Sequence, residues 1–155
     1  MRKVLIALAV SAAALATPAL AAGEGRVEAR GGIVWDGGAT EDVYGVAAGY
    51  DFDLGEAAFA GVEVSGDKIG DTGTKVAFGA TGRIGAKVGE KTKLYVDGGY
   101  TSEACDLCED AVHAGAGAEI GFGGNLYGKV AYRHFFVNNG GGDYNAVAVG
   151  LGVRF

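Results

Sequence analysis

Past residue 21 the chain has no proline and no methionine; its one Pro is Pro18 and its one Met is Met1. Its two cysteines are too few for a disulfide framework. Bases are scarce. With Arg2 and Lys3 set aside, 11 Lys+Arg face 19 Asp+Glu, a net charge of −8. A surface that tracks phosphates needs the opposite balance, so nucleic-acid binding is excluded. The longest apolar run, residues 4–16, is too short to cross a bilayer as a helix. It follows Arg2 and Lys3 and precedes Ala19-Leu20-Ala21, a small-x-small cleavage pattern. Residues 1–21 therefore read as a secretory signal peptide and residues 22–155 as the folded domain. A helical membrane protein is excluded, and export argues against a cytoplasmic one.

What is present is glycine, 30 residues of it, together with 15 aromatics. Glycine-rich disorder would come with Pro and Ser and without aromatics or periodicity. Here the hydrophobic pattern has a period of two. Eight alternating stretches fall at 25–35, 43–52, 57–66, 75–88, 92–100, 112–122, 126–137 and 144–155. Tight connections (53–56, 89–91, 123–125) alternate with longer ones (36–42, 67–74, 101–111, 138–143). Short turns at one end and longer loops at the other are expected of an outer-membrane barrel.

Successive strand residues point to opposite faces. In the last stretch Val147, Val149, Leu151, Val153 and Phe155 share one face, and Tyr144, Ala146, Ala148 and Arg154 the other. Fourteen charged residues fall within the stretches, all on the polar parity: Arg26, Glu28, Arg30, Asp51, Glu63, Lys75, Arg83, Lys87, Lys93, Asp97, Glu119, Lys129, Arg133 and Arg154.

A soluble barrel turns its apolar face inward and a membrane barrel inverts it. Glycines crowd the polar parity, as a narrow lumen crossed by long Arg and Lys side chains requires. Aromatics on the apolar parity gather at strand ends, as two bilayer interfaces select. Trp35, Tyr44, Tyr100 and Phe136 adjoin long loops; Phe52, Phe122 and Phe155 adjoin tight turns or the C-terminus. One Arg or Lys on the lipid face costs about 2–4 kcal/mol at mid-membrane. A net stability of about 5–15 kcal/mol does not tolerate several. The sequence thus predicts an all-β, eight-stranded antiparallel up-and-down transmembrane β-barrel with a plugged polar lumen. Turns centred on Glu90 and Gly124 would set Arg83 opposite Asp97 and Glu119 opposite Lys129, predicted as lumen ion pairs.

The C-terminal segment Leu126-Tyr127-Gly128-Lys129-Val130-Ala131-Tyr132-Arg133, a Gly-rich loop, and Ala148-Val149-Gly150-Leu151-Gly152-Val153-Arg154-Phe155 resemble the last hairpin of small outer-membrane barrels. The family is that of the opacity-protein/OmpA-like surface antigens of Gram-negative bacteria. The architecture matches over the whole domain, and the motif over about the last 30 residues. Terminal Phe155, with Val149, Leu151 and Val153 at alternate positions before it, is similar to the signal read by the barrel-assembly machinery. The resemblance implies assembly by that machinery and periplasmic chaperones. It also implies outer-membrane location, extracellular loops, periplasmic termini, contact with outer-membrane lipid and lipopolysaccharide, and a role in adhesion or envelope integrity with no common catalysis. The loops here are short for an adhesin, and no peptidoglycan-binding domain follows Phe155.

Cys105 and Cys108 form a Cys-x-x-Cys in the third long loop. A local disulfide formed after export is the simplest reading. A redox dithiol lacks a helix N-terminus. A metal site would have to recruit His113, Asp106, Glu109 or Asp110, and zinc-finger spacing is absent. Ten acids fall in the long loops (Asp36, Glu41, Asp42, Asp67, Asp71, Glu103, Asp106, Glu109, Asp110, Asp143) against one base, Lys68. They form a solvated rim or, alternatively, bridge divalent cations to lipopolysaccharide. His134 lies on the apolar parity with no Ser near, against a lipid A deacylase of Ser-His-acid type. The expectation is a monomeric, non-enzymatic envelope or surface protein without a cofactor, with a small porin-like channel as alternative and a lipid A-modifying enzyme less favoured.

Overall fold

The computed structural model describes residues 23–70, 73–105, 108–138 and 142–155; residues 1–21, expected from the sequence to be a signal peptide, lie outside them. Eight strands follow one another: β1 Gly23–Trp35, β2 Thr40–Asp53, β3 Ala58–Ile69, β4 Val76–Val88, β5 Thr92–Thr101, β6 Ala111–Gly123, β7 Leu126–Val137 and β8 Tyr144–Arg154. Each pairs antiparallel with its sequence neighbours, and β8 pairs with β1 to close the barrel.

The alternation read from the sequence sorts the two faces. Val62, Val96 and Leu151 are 55, 56 and 65% exposed, whereas Arg26, Asp51 and Glu119 are 1, 0 and 0% exposed. Charge is inside and aliphatic surface is outside. In water that arrangement would leave the outer apolar wall uncovered, so a bilayer is its solvent.

Three tight connections (54–57, 89–91, 124–125) and both strand termini mark one end of the barrel, the turn end. Gly124, with φ 58°, supplies the left-handed residue of the last turn, and a register shift between Gly121 and Gly123 accommodates it. At the opposite, loop end, three connections are longer: 70–75, 102–110 and 138–143.

The first loop departs from expectation. It spans only 36–39, because Glu41 and Asp42 belong to β2, opposite Val34 and Ile33. Asp36 Oδ1 accepts the Gly38 and Ala39 N–H groups, both at 3.0 Å, and Gly37 adopts φ 92°. Those bonds fold the chain back early and lengthen the ladder. Asp67 and Lys68 likewise lie in β3 rather than in a loop. Asp42 and Lys68 are thus charges on the outward parity. Both sit at the loop-end tip with Tyr44, which is the partner of Lys68. There an outward side chain reaches past the apolar band.

Candidate functional site

The lumen is the most constrained part of the molecule. Seven cations (Arg26, Arg30, Arg83, Lys93, Lys129, Arg133, Arg154) and seven carboxylates (Glu24, Glu28, Asp51, Glu63, Asp67, Asp97, Glu119) join in one ion-pair network. Every strand contributes at least one member. The network is formally neutral.

The register predicted from the turns is present: Arg83 is opposite Asp97, and Glu119 opposite Lys129. The side chains nevertheless pair elsewhere, which corrects the expected ion pairs. Arg83 on β4 donates to Asp51 on β2, at 2.9 and 2.6 Å, and to Glu119 on β6. Glu119 also accepts from Arg154 on β8 at 2.9 Å. Asp97 on β5 accepts from Arg133 on β7 at 3.0 and 2.9 Å. Lys129 on β7 reaches Glu28 on β1, and Glu63 on β3 at 3.2 Å. Arg26 on β1 reaches Glu63 at 2.8 Å, and Arg30 Nε reaches Asp67 at 2.8 Å.

Most of these pairs skip a strand, while Lys129 and Arg133 on β7 also cross the lumen to Glu63 on β3. Strand tilt and stagger bring inward residues of alternate strands to equal height, as in other small barrels. Asp51, Arg83, Glu119 and Arg154 form a layer from the even strands. Glu28, Arg26, Arg30, Glu63, Asp67, Asp97, Lys129 and Arg133 form one from the odd strands. Arg26, with Nε 3.7 Å from Asp51 Oδ1, ties the two layers together, and Glu24 joins the even layer through Lys93 at 2.6 Å and Arg154 at 3.4 Å.

Skipping a strand requires the strand between to lack a side chain. A Cβ on Gly61 would strike Asp51 Oδ1 beneath the Arg83–Asp51 pair. On Gly115 it would come within 2.7 Å of Asp97 Oδ1, and on Gly49 within 2.7 Å of Arg26 Nη2. Three inward aromatics that the sequence reading did not single out, Phe59, Tyr95 and Tyr127, fill the remaining space. Arg83 lies 5.3 Å from the Phe59 ring centre and 4.9 Å from that of Tyr95. Tyr127 donates to Glu28 at 2.8 Å. Their signal was available: all three stand on the polar parity.

On the outer wall, Trp35, Tyr44, Tyr100 and Phe136 stand at the loop end, and Phe52, Phe122 and Phe155 at the turn end. Val149, Leu151 and Val153 face outward along β8. Phe155 exchanges two backbone hydrogen bonds with Gly25, at 2.8 and 2.9 Å, sealing the β1–β8 seam.

Cys105 and Cys108 are joined in a disulfide. Asp143 accepts the Val137 N–H at 3.0 Å, and Asp36 caps its turn as described. The Ala39 and Gly38 N–H groups hold the Asp36 carboxyl below the usual carboxylate range. Hydrogen bonds from Tyr100 and Asn138 do the same for Asp110. Asp71 and Asp106 lie outside the described residues. Asp67 is a lumen residue, not a loop acid. Among the described residues no group of three or more His, Cys, Asp and Glu is placed to hold a metal ion. His113 points into the lumen between the Thr81 and Thr101 hydroxyls, each at 3.1 Å. His134 faces outward and hydrogen-bonds Asn145 Oδ1 at 2.8 Å. Ser65 and Ser102 are engaged elsewhere, with Asp67 and with the Phe78 N–H.

A search of curated protein sequences finds no match. Among solved structures, the N-terminal β-barrel domain of Pseudomonas aeruginosa OprF superposes with a TM-score of 0.65 at 18% identity, covering 85% of this chain and 97% of that one. Ail, the attachment invasion locus protein of Yersinia pestis, gives 0.59 at 12% identity, covering 88% and 100%. Neisserial surface protein A gives 0.57 at 11%, covering 85% and 95%. These likenesses establish the fold. The outer membrane protein beta-barrel domain model matches residues 5–155, nearly the whole chain, and the protein belongs to that outer-membrane family.

Proposed function

We propose that this outer-membrane barrel is a non-enzymatic protein of envelope structure or surface interaction, its loops extracellular and its termini periplasmic. The observation that carries the reading is the crowded lumen: a neutral ion-pair network with members on all eight strands crosses it, which argues against a wide ion path. No described Ser accompanies His134, which supports the absence of hydrolytic chemistry. The cystine is a structural clasp of the third long loop.

Interaction would occur through the loop end. There the described acids Asp36, Glu41, Asp42, Glu103, Glu109, Asp110 and Asp143 outnumber the bases Lys68 and Lys75. Ail has been captured with the heparin analogue sucrose octasulfate. The acidic end of this barrel favours a basic partner, or divalent cations bridging to lipopolysaccharide, over such a polyanion. The closed seam leaves no strand edge, consistent with a monomer in lipid. Outward Val149, Leu151, Val153 and Phe155 are suited to recognition by the barrel-assembly machinery after delivery by periplasmic chaperones.

Single-channel recording in planar bilayers tests the reading against a small porin-like channel. The expectation is no stepwise conductance. Regular, reproducible steps would establish the channel instead. Lipid A mass analysis of cells carrying His134→Ala should match that of the native protein.

A further inference from the structure

Above the ion-pair network the lumen changes character. Inward positions of the loop-end half carry Val34, Val43, Ile69, Phe135, Val137 and Tyr144. Together they wall a cavity of about 410 Å³. Its floor is Arg30, Lys129 and Arg133, and its mouth is edged by Ser102, Ala104 and Cys108 of the third long loop. The size falls within the range of small-molecule sites, and an apolar wall with few polar groups is their usual composition. A lumen mouth filled with water gives no reason for inward aliphatics, since water rewards polar side chains there. Elsewhere in the barrel the inward positions carry polar or small side chains, apart from the aromatics Phe59, Tyr95 and Tyr127.

The chemistry of the occupant follows from the charges around the wall. The floor guanidiniums are already committed: Arg30 to Asp67 and Glu63, and Arg133 to Asp97 and Glu63. Lys129 is likewise held by Glu28 and Glu63, so among the described residues lining the cup an anion would find no unpaired cation. The upper wall instead includes the carboxylates of Glu41 and Asp36, the latter occupied in capping its turn. Phe135 and Tyr144 stack at 4.5 Å with an interplanar angle of 8°, forming a flat aromatic side to the cavity. Aromatic faces attract cations, and the acidic loop end draws them in.

We propose that this cup is a binding site for a small amphipathic amine. Its aromatic or short aliphatic body lies among Val34, Val43, Ile69, Phe135 and Tyr144, and its ammonium group points toward Glu41. The site is blind, since the network below it closes the lumen.

The test is a fluorescence titration of the folded full barrel in phosphatidylcholine nanodiscs. The probes are naphthylethylamine and its acidic counterpart naphthylacetate, and empty discs are subtracted. The amine binds saturably to one site, and the acid binds at least about tenfold more weakly. Ala146→Phe on β8 and, separately, Ile69→Trp on β3 fill the cup from facing walls; either weakens the amine by about tenfold or more. Glu41→Gln weakens the amine but not the acid. Each variant is first shown to be folded by heat-modifiable gel migration, and two filling variants guard against loss of one. Absence of saturable binding above empty discs, or binding indifferent to both filling variants, overturns the site. Equal binding of amine and acid overturns its preference for a cation.

Discussion

At the scale of single residues, the glycines of this barrel are of two kinds that composition does not separate. Gly61 faces inward beneath Asp51 and Arg83, where a Cβ has no room, whereas Gly82 faces outward and its nearest neighbour beyond the adjacent chain is the Gly98 carbonyl at 3.9 Å. Gly61→Val should therefore destabilise the barrel by about 1–3 kcal/mol through overpacking. Gly82→Val should change it by less than about 0.5 kcal/mol, as for an exposed site away from special features. Urea unfolding in lipid vesicles measures both. Asp36 offers a titration. Its folded carboxyl is held low by the Ala39 and Gly38 N–H groups. Its contribution is therefore present above the unfolded value and fades as pH falls through the lowered folded value. An NMR titration of the Asp36 side-chain carbon should give a midpoint below about 3.9, the ordinary aspartate value.

At the scale of strands and loops, the hairpins were legible because each strand carries its own period-two pattern, and the tight turns centred on Glu90 and Gly124 gave the register of β4–β5 and β6–β7. Partner choice was not legible. A linear pattern identifies adjacent neighbours, whereas strand stagger sets Arg83 level with Asp51 and Glu119, two strands away on either side. Asp67 and Lys68 follow Gly66, a composition that reads as a loop, although β3 continues through them to Ile69. The loop-end cavity was hidden for a related reason. Val34, Val43 and Phe135 each look like an isolated lapse in alternation, and only closure of the sheet gathers them. The cystine closes a loop with a sequence separation of 3. Replacing both Cys105 and Cys108 by Ser should accordingly lower stability by less than about 2 kcal/mol, the short loop having little entropy to lose. Thermal gel-shift midpoints with and without reductant check this.

At the scale of the whole molecule, the barrel separates its charges by place. The network balances seven cations against seven carboxylates in the lumen, so the net negative charge of the folded domain resides at its ends, mostly the loop end. A 12-residue strand such as β3, tilted by about 40°, rises roughly 30 Å, more than the apolar band of about 25 Å. The surplus accommodates Asp42, one step past Tyr44 on β2, and Lys68, level with Tyr44 on β3. Arg83 is the test of the interior. Arg83→Met leaves Asp51 and Glu119 short of a countercharge, and should cost about 3–5 kcal/mol, as for other broken buried pairs. Equilibrium urea unfolding in vesicles measures the loss.

Because no strand is without a member of the lumen network, an unfinished sheet has bare ions wherever a strand is missing. A sheet of β1–β4 alone would carry Glu63 into the bilayer without Lys129 and Arg133, and Arg83 without Glu119. Insertion should therefore proceed as one concerted event, with few half-built species surviving long enough to be trapped.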